Sequence, residues 1–277
     1  MTKIFENIKE KSILKNILKK HKNKKVVVFY PHCDWKMKMH QRPQHVAKAL
    51  ARRGILVFYC TPNASEDEVF GYEEVEKNLY VTNQLEMLKR CIPKYTLGLY
   101  ANAYGCWKEE LQEIQKKGHD ILYEYIDDLH EDLANIPEEM LERHYYALGD
   151  ENIKVLCTAG ALYENTKKYR TGNLILSTNG VNYEDFAIKY VPEIPEEIKS
   201  IAQDNRKIIG YYGALAKWFD YELIAKIAKE RPNYDIILIG IDYDKSLAEY
   251  NYFRDFENVF YLGLVPYEEL VHYRILL

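Results

Sequence analysis

The chain has 277 residues, 47% of them apolar and 29% charged, with a formal net charge of −4. That balance excludes a disordered or low-complexity chain and leaves room for one large domain or two ordinary ones. The five cysteines (Cys33, Cys60, Cys91, Cys106 and Cys157) follow no CxxC or other metal-ligand spacing, so free thiols in a reducing compartment are expected, and no metal site. No signal peptide opens the sequence, and no run approaches the length needed to cross a bilayer.

Charge is unevenly spread. Residues 1–25 hold nine lysines against Glu6 and Glu10, a local +7 that leaves −11 on residues 26–277. In that head Ile4, Phe5, Ile8, Leu14, Ile17 and Leu18 recur at spacings of three and four, which predicts a helix with one apolar face. Two readings stand side by side: a basic amphipathic helix on a membrane surface, or a helix packed on the following domain. The acidic body and the lack of interleaved arginine and aromatics argue against nucleic acid as a partner.

From residue 26 strand and helix signals alternate. Strand-like runs fall at 26–30, 55–61, 79–83, 120–126, 153–159 and 174–180, with helical patterns clearest at 41–53 and 107–118. Apolar runs separated by helices predict a parallel sheet covered on both faces. A charged segment with Pro192 and Pro195 reads as a connection over 191–206. The pattern then restarts with strands at 207–213, 235–240 and 258–263, a helix near 220–230 and the opening of another at Pro266. The fold class is α/β, with two doubly wound Rossmann-like domains, 26–190 and 207–277, the second short enough to be incomplete.

In such sheets ligands bind beyond the carboxyl ends of the strands. The loop after the first strand carries neither GxGxxG nor GxxxxGK[ST], which excludes the dinucleotide and P-loop fingerprints; an NAD-linked sugar-modifying enzyme is therefore a weak reading. The loop offers Asp34, Trp35, Gln41 and Arg42 instead. Trp35 is a platform for a ring, and Arg42, near a helix start, suits a carboxylate or phosphate; equally, Trp35 plugs the open end of the domain and Arg42 pairs locally. Asp127 and Asp128 end the strand at 120–126, where side-chain alternation lets one face the crevice while the other caps the next helix. His130 nearby reads as structural. Thr178-Asn179-Gly180 is turn chemistry at the end of the last strand of the first domain.

The loop WKMKMHQRPQHVAKALARRG, the strand end YEYIDDL, the turn TNGVNYEDF and the restart IGYYGALAKWFDYELI together resemble bacterial glycosyltransferases of the two-Rossmann-domain GT-B architecture. More narrowly they resemble the family 4 type that builds surface polysaccharides, teichuronic-acid-like enzymes included. The likeness runs in order from about Val26 to Tyr273.

The resemblance implies transfer of a hexose, with retention, from a nucleotide-diphosphate donor to a glycan or lipid-linked acceptor. It implies no cofactor beyond the donor substrate, and a cytoplasmic location that extends to the inner face of the membrane if residues 1–25 bind it. It implies acceptor binding in the first domain by Asp34, Trp35, Gln41, Arg42 and Asn179, with Asp127 or Asp128 beside the reacting centre. Donor phosphates would lie near Gly213 and Lys217, where the family's Gly-Arg is Gly213-Ala214 in this chain. The family's later strands and its E-x7-E-like segment have no counterpart before Leu277. The expectations are thus a transferase, active alone or completed by a second chain, or a non-catalytic remnant that binds glycan or serves as an interaction module.

Overall fold

A computed structural model of the chain describes residues 2–129, 136–181, 183, 193–201, 206–250, 253 and 255–273. The chain divides into two compact units, 1–180 and 181–277. The first is built on an eight-stranded sheet of order β3-β4-β2-β1-β5-β6-β7-β8. Its strands are β1 (Val26–Phe29), β2 (Leu56–Cys60), β3 (Tyr72–Glu76), β4 (Leu79–Thr82), β5 (Thr96–Tyr100), β6 (Asp120–Tyr125), β7 (Lys154–Cys157) and β8 (Leu174–Leu176). All neighbours are parallel except β3, which runs antiparallel to β4. Each predicted strand of this unit is present. Two were not foreseen: the short acidic β3, and β5, which contains Gly98.

β1 lies between β2 and β5, with Phe29 opposite both Tyr59 and Gly98. The chain builds outward on the β2 side, then returns past β1 to start β5, so the order reverses there. That reversal point opens a crevice at the carboxyl ends, where open α/β sheets hold ligands. Gly98 permits the close contact: a Cβ there would sit 2.7 Å from the Phe29 ring.

Helix α1 (Thr2–Lys20) is part of this unit. Leu14 and Ile17 are buried in the core, with Ile13 and Leu18 packed at its margin. Lys20 Nζ pairs with Glu74 Oε2 at 2.9 Å, and His21 Nε2 lies 3.3 Å from the Tyr80 hydroxyl. The part of the head's apolar face from Leu14 to Leu18 is therefore docked on the domain, while Ile8 is exposed. Lys11, Lys15, Lys19 and Lys22 are exposed, spaced four, four and three apart. Among the described residues no helix is long and apolar enough to cross a membrane.

The second unit has a three-stranded parallel sheet of order β11-β10-β9, formed by β9 (Lys207–Tyr212), β10 (Tyr234–Ile239) and β11 (Val259–Gly263). Alternation on the central strand sends Ile236 and Leu238 to one face and Ile237 and Ile239 to the other. The first pair packs with Ala228 of α8 (Tyr221–Glu230), and the second with Ile198 and Tyr273. Ile198 belongs to α7 (Glu196–Ile201), inside the segment expected to be a connection. That short helix covers one face of the three-stranded sheet.

Because α1 is docked through Leu14, Leu14→Ala is expected to destabilise the first unit by about 2–4 kcal/mol. Lys15→Gln is expected to change stability by less than about 0.5 kcal/mol. Thermal or denaturant unfolding of the two variants measures the difference.

Candidate functional site

The crevice at the β1/β5 reversal brings together residues distant in sequence. Arg42 opens α2 (Arg42–Arg52), just after the loop that follows β1. Its Nε donates to Glu124 Oε2 at 2.8 Å and its Nη1 to Asn179 Oδ1 at 3.2 Å. Glu124 lies in β6 with its side chain 1% exposed, and the Arg42 side chain is 15% exposed. A carboxylate that deeply buried is tolerable only when paired. Tyr100, at the end of β5, has its hydroxyl pushed well up, first by burial and then by the Glu124 charge. His32 stacks on Tyr100 with ring centroids 5.2 Å apart. Burial lowers the His32 pKa to about 4, so the ring is neutral at physiological pH.

Asp127 and Asp128 lie just past the end of β6 and take different partners. Asp127 accepts from Asn102 Nδ2 at 3.3 Å, across the end of β5. It is exposed, yet partial desolvation raises its pKa above the ordinary carboxylate value. Asp128 turns the other way and accepts from the Tyr125 hydroxyl at 2.9 Å. It caps no described helix: α5 (Glu138–Gly149) begins ten positions later, after Pro137. His130 lies outside the described residues.

The loop after β5, which carries Asn102, is held from below by a fully buried guanidinium. Arg143 of α5 donates to the carbonyls of Ala101, Ala103 and Gly105. Its carbon lies 5.8 Å from the Trp107 ring centroid. Three carbonyl dipoles aimed at one delocalised cation make a rigid cage.

The other residues expected in this site hold the neighbouring loop. Asp34 is 5% exposed. It accepts from the amides of Ala64 (2.9 Å), Ser65 (2.8 Å), Glu66 (2.7 Å) and Asp67 (3.2 Å), and from the Thr61 hydroxyl at 3.2 Å. Burial alone would raise its pKa, but the four amides outweigh it and hold the carboxyl at about 2. Trp35 packs edge-on to Tyr59 at 5.1 Å, with Lys48 Nζ 5.5 Å from its ring centroid. The Gln41 amide donates to Gln44 Oε1 at 3.2 Å, and Gln44 Nε2 donates to the Asp34 carbonyl at 3.0 Å. The structure thus gathers Glu124 and Asn179 round Arg42, sets Asp127 with Asn102, and ties Asp34, Trp35 and Gln41 into the loop scaffold. Glu124, His32, Tyr100 and Arg143 escaped the sequence reading. Glu124 had one usable signal, an acid inside a strand whose residues between Asp120 and Tyr125 are otherwise apolar or aromatic.

In the second unit the loops after β9 and β10 lock together. A Cβ on Gly240 would fall 1.7 Å from the Gly213 carbonyl oxygen, so both loops run backbone against backbone. The Gly213 amide donates to Ile239 O at 2.9 Å, the Leu215 amide to Ile241 O at 2.9 Å, and the Lys217 amide to Asp244 Oδ2 at 3.0 Å. Three amides of the expected phosphate loop are therefore already engaged. Among the described residues no group of three or more His, Cys, Asp or Glu is placed to hold a metal ion.

No protein-family model matches the sequence, and no curated protein matches it. Solved structures do. HepE of Anabaena, in complex with UDP and glucose, aligns with a TM-score of 0.59 and 14% identity over 91% of this chain and 71% of its own. A glycosyltransferase from Rickettsia africae ESF-5 aligns with a TM-score of 0.56 and 13% identity over 91% and 71%. The UDP-GlcNAc 2-epimerase from Neisseria meningitidis, bound to UDP-GlcNAc, aligns with a TM-score of 0.52 and 11% identity over 90% and 74%. At such identities the likeness is one of fold: two Rossmann-like α/β units of the GT-B class.

Asp34 sets a pH dependence. Its folded pKa of about 2 lies below the ordinary 3.8, so its stabilisation is present above pH 4 and is lost as pH falls through the folded value. The amount is up to about 2 kcal/mol. Asp34→Asn is expected to flatten the fall in stability between about pH 4 and pH 2, measured by denaturant unfolding. The earlier fall between pH 6.5 and about 4, as the unfolded counterparts of buried His32 and His144 take up protons, is expected to persist.

Proposed function

We propose that this chain is a glycosyltransferase that moves a sugar from a nucleotide-diphosphate donor to a hydroxyl of a glycan or lipid-linked acceptor. The observation that carries the reading is the convergence of Arg42, Glu124 and Asn179 at the strand-order reversal of a GT-B unit. A guanidinium fixed on two sides is a positioning device, and positioning is a large part of what catalyses group transfer between bound partners. In this reading Arg42 and Asn179 orient the acceptor, while Glu124 fixes the rotamer of Arg42. Asp127, exposed and with a raised pKa, takes the acceptor hydroxyl's proton or its hydrogen bond. Asp34, Trp35 and Gln41 contribute by shaping the loop. On the donor side the reading leans on the Lys217 ammonium, because the amides of Gly213, Leu215 and Lys217 are engaged. HepE with UDP and glucose lends support for a UDP-sugar donor. The finer reading adds hexose transfer with retention, no cofactor, and surface-polysaccharide synthesis in the cytoplasm.

The test is release of nucleoside diphosphate from a panel of UDP-, GDP- and dTDP-sugars by the purified chain, followed by variants. Arg42→Ala and Glu124→Gln are expected to lower the rate about a hundredfold, and Asp127→Asn at least about tenfold. Asp128→Asn is expected to leave it near wild type. Unchanged rates in Arg42→Ala and Asp127→Asn would remove this crevice from the reaction. Interconversion of the donor sugar without release would favour the epimerase chemistry that the fold also accommodates.

The same reading places the enzyme on the inner face of the membrane, with the mode of contact revised by α1. Leu14, Ile17 and Leu18 are docked on the domain, so in this reading attraction falls to the exposed Lys11, Lys15, Lys19 and Lys22, each worth about 1 kcal/mol near an anionic leaflet. Cosedimentation with phosphatidylglycerol vesicles is expected at low salt and lost at 0.5 M NaCl. It is expected to be absent with phosphatidylcholine alone or after all four lysines are changed to glutamine. Binding that persists at high salt would mean insertion of apolar side chains instead.

A further inference from the structure

The second unit carries two large aromatic side chains in the open. Trp218 is 60% exposed and Tyr243 66%, with ring centroids 5.7 Å apart and planes inclined at 47°. Isolated exposed aromatics are ordinary, but an exposed tryptophan paired with an exposed tyrosine marks a contact surface. Both stand on the loops just beyond the carboxyl ends of β9 and β10, where parallel α/β sheets take their ligands. Those loops do not hang loose. The Leu215 amide donates to Ile241 O at 2.9 Å, the Tyr243 amide to Leu215 O at 2.8 Å, and the Lys217 amide to Asp244 Oδ2 at 3.0 Å. With Gly213 and Gly240 in backbone contact beneath, the two rings ride on one braced rim. A rigid rim cuts the ordering cost of binding.

The charge round the rings selects among ligands. Asp220, Asp242 and Asp244 outnumber Lys217 and Lys245 on the same two loops. Asp244 is held ionised, its pKa lowered by Ser246 and the Lys217 amide. Carboxylates at the rim can accept hydrogen bonds from hydroxyl donors. A neutral pyranose matches both features: an apolar face of C–H groups for the rings, and hydroxyls for the surrounding carboxylates. Its polarised C–H hydrogens meet the negative ring face, as aromatic edges do.

We propose that Trp218 and Tyr243 form a stacking subsite for a neutral saccharide ring at the carboxyl-end rim of the second unit. The inference stands independently of glycosyl transfer, because it needs only binding.

The test titrates the full-length chain with maltotetraose and cellotetraose, and with UDP as the anionic comparison, following tryptophan emission and heat of binding. At least one neutral oligosaccharide is expected to shift the emission. That shift is expected to vanish in Trp218→Leu while Trp35 and Trp107 still report a folded protein. Tyr243→Ala is expected to weaken binding about three- to tenfold, and Trp218→Phe less than Trp218→Leu. Acid-to-amide changes away from the rim, such as Glu86→Gln, are expected to have no effect. If neither saccharide binds, or if binding survives both Trp218→Leu and Tyr243→Ala, the proposal fails. UDP binding that is itself lost in Trp218→Leu and Tyr243→Ala would also overturn it, since the subsite would then be a nucleotide's.

Discussion

The Phe29 ring occupies the space that a side chain on Gly98 would need, and the first unit is organised round that contact. Because β1 and β5 approach closely there, β1 can be paired on both sides and the chain can reverse its direction of growth across the sheet. The reversal leaves a crevice, and the loops that line it start from strands held in register by that packing. An alanine at Gly98 would have to displace a core aromatic that also stacks on Tyr100 at 6.0 Å. Scaffold and crevice are therefore not separable properties of this unit.

Within the crevice the polar groups are arranged by desolvation as much as by attraction. Glu124 is too deeply buried to stand alone, so it fixes Arg42, and Arg42 in turn reaches Asn179. The pair adds little net stability, since the loss of hydration offsets much of the Coulomb energy. What it supplies is a guanidinium whose direction is set before any ligand arrives. Asp34 spends its charge differently. Saturated by four amides, it makes the loop at 61–67 a fixed wall instead of a lid.

The sequence disclosed the strands that are continuous apolar runs, such as VVVF at 26–29 and LVFYC at 56–60, because burial on both faces writes itself into composition. It hid β5, whose Thr96 and Gly98 look like turn chemistry until the ring of Phe29 explains the glycine. It also hid β3, which is acidic because it lies at a sheet edge, where charge guards against unwanted pairing. At the site, Arg42, Asn179 and Asp127 were legible as polar residues beside strand ends. Asp34 was equally visible, yet its destination is backbone amides of a loop 30 residues on, which no local pattern announces. Glu124 and Arg143 were silent for a related reason: a buried charge is defined by what surrounds it, and its partners lie 82 and about 40 positions away. The head was read correctly as a helix with an apolar face, but the pattern cannot tell a bilayer from a protein core.

Arg143 has a consequence for how this protein tolerates change. Its guanidinium is held by the carbonyls of Ala101, Ala103 and Gly105, three acceptors from one short stretch of backbone. Lysine in its place would keep the charge but offer a single nitrogen instead of a planar fork. The loop bearing Asn102, and with it the partner of Asp127, thus depends on a side chain of α5 as much as on the strand it follows.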